Sequence, residues 1–257
     1  VIQQAGDFSM VYERFSLGSH AAMEWAQSSQ VSSILEVNAP LIDEQLRHRQ
    51  LIDRELAEES ARRAFGAAGA SAAVSAEVAA WVREYSPADA NLHVIRNRVC
   101  TQTFSPDVSP QSPRGDCFTV GFVGSLRPWH AVDLLIDAYS LFLQRTNQPT
   151  RLLIVGDGPQ RDALSQRIAG LDAAARSTIQ LVGAVKHQDI PGWLTSMDVA
   201  VAPYSAGQDF YFSPLKVFEY MAAGRAIVAS GVGQWDSILH DGQNALLTRP
   251  GDPHGLA

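Results

Sequence analysis

The stretch Phe210-Tyr211-Phe212-Ser213-Pro214-Leu215-Lys216-Val217-Phe218-Glu219-Tyr220-Met221-Ala222-Ala223-Gly224 sets a cation and a carboxylate behind a helix-starting signal. Ser213 is a good N-cap and Pro214 a good first helical residue, so Ser213, Pro214 and Leu215 open a helix whose first backbone N–H groups are free. A helix N-terminus with a lysine in its first turn is an anion site, and Lys216 is that lysine. Glu219 lies about one turn further along the same face, where a ribose attached to a bound diphosphate would meet its carboxylate. A surface Lys–Glu pair, weakly stabilising, explains the charges but not the cap.

Two glycine-bearing loops offer further anion chemistry. Gly121-Phe122-Val123-Gly124-Ser125-Leu126-Arg127-Pro128-Trp129-His130 reads as a strand running into a loop with a hydroxyl (Ser125), a cation (Arg127) and an imidazole (His130). Open α/β sheets bind ligands beyond the carboxyl ends of their strands, so such a loop suits a diphosphate. A solvent-facing loop with Trp129 packed as a lid fits the same residues. Gly156-Asp157-Gly158-Pro159 follows the strand Leu152 to Val155, but position 161 is Arg161 where a dinucleotide fingerprint needs glycine, and the nicotinamide reading fails there. An ordinary strand-to-helix turn accounts for this stretch equally well. The sequence has no Walker A motif, no His-Glu-x-x-His, no Gly-x-Ser-x-Gly and no dedicated set of metal ligands.

The elements that must position these loops alternate. From Asp116 onward, strand candidates at Phe118 to Val123, Arg151 to Val155, Thr178 to Val182, Val199 to Ala202, Ala226 to Ser230 and Asn244 to Thr248 are separated by helical patterns. The helices fall at Val132 to Arg145, Gln160 to Ala169, Ile190 to Ser196 and Pro214 to Ala223, which predicts a doubly wound parallel sheet. The first hundred residues repeat the grammar with strands at Met10 to Glu13, Ser33 to Val37, Ala72 to Ser75 and Leu92 to Ile95, and one long amphipathic helix from Leu41 to Phe65. Asn97 to Asp116, with Pro106, Pro110 and Pro113, reads as an interdomain linker, giving domains 1–114 and 115–257.

With 257 residues, 46% of them apolar, the chain can bury one large core or two of ordinary size. Its 20 basic and 27 acidic residues leave a charge of −7, which argues against nucleic acid as a partner. Cys100 and Cys117 match neither a zinc ribbon nor a disulfide framework, so a reducing, cytoplasmic compartment is expected. The most apolar long segment, Ala64 to Val82, is mostly Ala and Gly, and encodes no membrane span.

Taken together, Val120-Gly121-Phe122-Val123-Gly124-Ser125-Leu126, Leu153-Ile154-Val155-Gly156-Asp157-Gly158-Pro159, Leu181-Val182-Gly183, Asp198-Val199-Ala200-Val201-Ala202-Pro203 and Ser213 through Gly224 resemble the GT-B-fold nucleotide-sugar glycosyltransferases of the family 4 kind. The resemblance is good over about 160 residues, from Leu92 to Gly251, and thinner before that. It implies two Rossmann-like doubly wound parallel-sheet domains, α/β in class, the first incomplete. It also implies a donor domain binding a nucleoside diphosphate sugar, and transfer with retention to an alcohol or glycan acceptor held by the first domain. On this resemblance Glu219 holds the donor ribose, Lys216 and Arg127 neutralise the diphosphate, and Ser125 and His130 stand where the family has its basic pair. Gly124 and Gly156 shape the donor loops, and Gly183-Ala184-Val185 is where backbone groups meet the nucleobase. No cofactor and no metal is implied, and peripheral membrane contact is allowed. The family's other motif acid would fall on position 211, which is Tyr211 here, with Asp209 the nearest carboxylate. Glu36 and Asn38 occupy the place of an acceptor-side group, though a polar strand end describes them as well, and His20, His48, His187, His240 and His254 read as solvated. Two other readings share the donor site: a sugar-nucleotide epimerase or hydrolase, and a noncatalytic sugar-nucleotide binding protein. Val1 to Asp7 offers neither a strand nor a glycine-rich turn, and the expectation is a fragment cut at both ends.

Overall fold

The computed structural model describes residues 8–48, 50–113, 115–206, 215–232, 235 and 238–257. The chain divides into two compact units whose boundary falls between Asn97 and Arg98.

The first unit is a parallel sheet of β1 (Met10–Arg14), β2 (Ser32–Val37), β3 (Ala70–Ala73) and β4 (Leu92–Val94), in that order. The crossovers are α1 (Ala21–Ser28), then α2 (Leu41–His48) with α3 (Arg54–Ala67), then α4 (Ala76–Tyr85). Every crossover advances in one direction, so right-handed connections bring the helices to one face. There α1 packs on α3 and α3 on α4. Leu35, Val37 and Ala73 of the sheet meet Met23, Ala61, Phe65, Val78 and Trp81 in the core.

The single long helix expected from Leu41 to Phe65 is two. Asp53 breaks it by capping α3, its carboxylate accepting the Leu56 N–H at 2.9 Å. Aspartate is a better cap than helix-interior residue because its side chain satisfies an otherwise free N–H. Asp53→Ala is expected to cost about 1 kcal/mol, seen as a lower urea midpoint at unchanged m-value. The strand expected at Ala72 to Ser75 ends instead at Ala73, because Ser75 caps α4 and accepts the Val78 N–H at 3.0 Å.

The second unit holds β5 (Phe118–Val123), β6 (Thr150–Val155), β7 (Ile179–Gly183), β8 (Val199–Ala202), β9 (Ala226–Ser230) and β10 (Leu246–Thr248), within two residues of the expected strands. They form a parallel sheet in the order β10-β9-β8-β5-β6-β7. Its helices are α5 (Val132–Leu143), α6 (Arg161–Ala169), α7 (Ala173–Ser177), α8 (Ile190–Thr195), α9 (Leu215–Ala222) and α10 (Pro253–Leu256). The chain winds outward from β5 to β7 and then returns to lay β8 on the other side of β5. That reversal opens a crevice beyond the carboxyl ends of β5 and β8, the place where doubly wound sheets take their ligands.

Much of the Pro- and Ser-rich segment read as a linker is fastened to the second unit. Gln111 N–H donates to the Gly192 carbonyl at 2.9 Å and Ser112 N–H to Ser196 Oγ at 3.0 Å. Arg151, on β6, donates to Ser112 Oγ at 2.7 Å, to the carbonyls of Ser112 and Pro113, and to Thr119 Oγ1 at 2.9 Å. Among the described residues no helix is long and apolar enough to cross a membrane.

Candidate functional site

Three loops leave the carboxyl ends of β5, β6 and β7 and are hydrogen-bonded to one another. Gly124 N–H donates to the Val155 carbonyl at 3.0 Å, Leu126 N–H to Asp157 at 2.9 Å, Gln160 N–H to Leu126 at 3.0 Å and Gly156 N–H to Gly183 at 2.9 Å. Backbone meets backbone so closely that side chains are excluded: a Cβ on Gly156 would stand 1.9 Å from the Gly124 oxygen, and one on Gly158 2.7 Å from the Leu126 oxygen. Gly156 is thus demanded by loop packing as well as by its positive φ of 138°.

The cation of the crevice comes from α9. Tyr220 docks that helix on β5, its hydroxyl accepting from Val123 N–H at 3.1 Å and lying 3.2 Å from the Val123 carbonyl. Lys216 is one turn earlier on the same inward face. Its Nζ is buried without a hydrogen-bond partner among the described residues, 4.7 Å from the Phe122 ring centroid and 5.3 Å from that of Tyr204. The two aromatic faces attract the ammonium but do not replace its lost hydration. Burial therefore pushes the Lys216 pKa down to about 7, with Glu219 only partly opposing.

Lys216 Nζ is buried and makes no hydrogen bond to Glu219, so a surface Lys–Glu pair does not describe these residues. Burial raises the Glu219 pKa, while His187 and Lys216 pull it back. His187, read from sequence as solvated, is exposed, with its ring 5.9 Å from Phe104, and its influence on this carboxylate is electrostatic. Nothing in its sequence context marks it, because His187 and Glu219, which is on α9, come from separate elements of the chain.

His130 shares the walls of the Lys216 site, its ring 5.9 Å from Phe122 and 5.8 Å from Tyr204. Its Nδ1 bonds the Ser125 carbonyl, which can only accept, so Nδ1 carries the proton. Burial first, then Lys216, lowers the His130 pKa to about 4, and the ring is neutral at pH 7. Ala131, at φ 42°, takes the left-handed turn that carries the chain from His130 into α5. Arg127 is exposed, 5.6 Å from the Trp129 ring, and lines a cleft of about 210 Å³ with Gln160 and Ser205. Ser125 is exposed beside Gly124, and Val185 is half-buried in the loop after β7. Leu215 is the first residue of α9, whereas Ser213, Pro214, Tyr211 and Asp209 lie outside the described residues. Among the described residues no group of three or more His, Cys, Asp or Glu could hold a metal ion.

A doubly wound parallel sheet with glycine-packed loops at its switch point is the architecture of a Rossmann-like α/β unit. The model of the family described as glycosyl transferases group 1 matches residues 117–257, and the chain belongs to that family. It is 30% identical over 175 residues to a glycogen synthase of Mycobacterium tuberculosis, covering 67% of this chain and 40% of that protein. It is 29% identical over 183 residues to a D-inositol 3-phosphate glycosyltransferase of Kribbella flavida, covering 67% and 42%. The chain thus spans about 40% of the length of these curated relatives. Among solved structures, HepE of Anabaena in complex with UDP superposes with a TM-score of 0.71 at 20% identity, over 99% of this chain and 68% of HepE. The same protein with UDP-glucose gives 0.69 at 21% identity, over 99% and 68%. At that identity the likeness is one of fold, GT-B with Rossmann-like units.

Proposed function

We propose that the second unit binds a nucleoside diphosphate sugar and that the protein transfers the sugar, with retention, to an alcohol or glycan acceptor held on the side of the first unit. The observation that carries this reading is the buried ammonium of Lys216 at the sheet's switch point, unpartnered among the described residues, which an anionic ligand would satisfy. The UDP and UDP-glucose complexes of HepE support the same class of donor.

In this reading the diphosphate meets Lys216, Arg127 and the first N–H groups of α9, with Ser125 and His130 beside it. As the bond to the sugar breaks, negative charge grows on the leaving diphosphate. Fixed donors aimed at that charge stabilise the transition state without a covalent protein intermediate. Neutral His130 adds no charge in the free protein, so Lys216 and Arg127 carry the neutralisation. Glu219 accepts the ribose hydroxyls, and backbone groups of Gly183 and Val185 meet the base. The free cysteines Cys100 and Cys117 suit a reducing, cytoplasmic setting.

Calorimetric titration with uridine, guanosine and adenosine diphosphates and their sugars tests the proposal. Glu219→Ala should weaken nucleoside diphosphate binding by roughly 1.5–3 kcal/mol, the value of a hydrogen bond to a charged group, with little change in thermal unfolding. Unchanged affinity would remove Glu219 from the site. Donor sugar consumed equally with and without acceptor alcohols would point to hydrolysis instead of transfer.

A further inference from the structure

Arg161, which stands where a dinucleotide fingerprint has glycine, has no part in the reading above. It opens α6, and its guanidinium rests against Gly183: a Cβ there would lie 3.1 Å from Nη1, 3.7 Å from Nη2 and 3.8 Å from Cζ. Gly183 ends β7 at φ 91°, with its carbonyl already engaged by Gly156 N–H at 2.9 Å, so the surface under the guanidinium is fixed backbone. The Asp157 carboxylate stands 3.5 Å from Nη1, while its other oxygen accepts Gly158 N–H at 2.7 Å. That pairing orients the arginine without satisfying it. The guanidinium makes no hydrogen bond among the described residues, Nη1 is buried without one, and 40% of the side chain is exposed.

A guanidinium is a rigid fork of donors with no acceptor, and here it lies beside the backbone edge assigned above to the nucleobase. Uracil, cytosine and guanine carry an exocyclic keto oxygen, whereas adenine offers an amino donor and none. We propose that Arg161 is a specificity-determining residue for the donor base, donating to a keto oxygen and disfavouring adenine. The assignment rests on the donor-site reading of Gly183 to Val185 and narrows it to uridine, cytidine or guanosine diphosphate sugars. An adenine amino group turned toward the guanidinium would set donor against donor, next to a glycine that cannot move aside.

Calorimetry of the intact protein with uridine, guanosine and adenosine diphosphates decides the matter. The wild type should bind at least one keto-base nucleotide about tenfold or more tightly than adenosine diphosphate, as expected for one charge-assisted hydrogen bond. Arg161→Met should reduce that ratio to within about threefold, chiefly by losing the keto-base nucleotide. If the Met variant fails to fold, judged by circular dichroism, Arg161→Gln gives the same comparison with a polar side chain retained. Equal wild-type affinity for all three nucleotides would overturn the assignment, and so would equal losses for all three in the variant, which mark a phosphate contact. Failure of all three to bind would sink the donor reading and this assignment with it.

Discussion

Lys216→Met is expected to make the free protein more stable at pH 6 while weakening nucleoside diphosphate binding tenfold or more. The physical cause of both is one buried charge that has no hydrogen-bond partner among the described residues. Its folded pKa of about 7 lies below the 10.5 of a free lysine. Between those values the unfolded chain holds more protons, so stability rises with pH, and below about 7 the penalty is present in full. Every tenfold loss of proton affinity on folding corresponds to about 1.4 kcal/mol. Allowing for relaxation around the ammonium, the methionine variant should gain about 3 kcal/mol at pH 6, and the gain should shrink toward pH 10. Ligand binding runs the other way. Above about pH 7 free Lys216 loses the charge that the diphosphate needs, so affinity should fall with rising pH in the wild type and stay flat in the variant. Uncharged nucleoside should bind both equally. Denaturation curves and titrations at pH 6, 8 and 9.5 check each part. A variant with wild-type stability at pH 6 would mean that the ammonium is hydrated in solution.

Gly156→Ala should be the most damaging glycine-to-alanine change among the described residues. The new Cβ would lie 1.9 Å from one backbone atom of Gly124 and 2.9 Å from another, at a φ of 138°. Neither neighbour is a flexible side-chain tip, so relief requires parting the loops that follow β5 and β6. A loss of about 4 kcal/mol or more, or failure to fold, is expected. Gly242→Ala is the internal control, having a φ of 71° but nothing within 4 Å of the new methyl. It should cost about 1 kcal/mol from backbone strain alone. Denaturant midpoints for the two variants separate clash from strain, and similar values would show that the loops yield.

The second unit was the more legible half because its strands are buried runs of β-branched and aliphatic residues, such as Leu152-Leu153-Ile154-Val155, which alternate with helical patterns. The break at Asp53 was hidden because the charged and apolar periodicity of Leu41 to Phe65 continues through it, and one capping carboxylate outweighs that pattern. At the site, residue types pointed to Lys216 and Arg127 for an anion and to the Glu219 carboxylate for hydroxyl groups. They could not show that Nζ is walled by Phe122 and Tyr204, residues of two other strand ends, or that the same walls keep His130 neutral. Burial is a property of the assembled crevice and leaves no local mark. The role of Arg151 in fastening Ser112 was invisible for the same reason, since a Pro- and Ser-rich segment reads as free until its partner is known.

The mutual hydrogen bonding of the loops after β5, β6 and β7 has a consequence for transplantation. Each loop supplies the surface on which the next rests: Gly124 under Gly156, Leu126 against Gly158, and Gly156 on the carbonyl of Gly183. A loop grafted singly from a relative would bring side chains or a backbone path that its two neighbours were not shaped to receive. The three loops are therefore one structural block, and a graft between relatives that keeps their packing moves all three together.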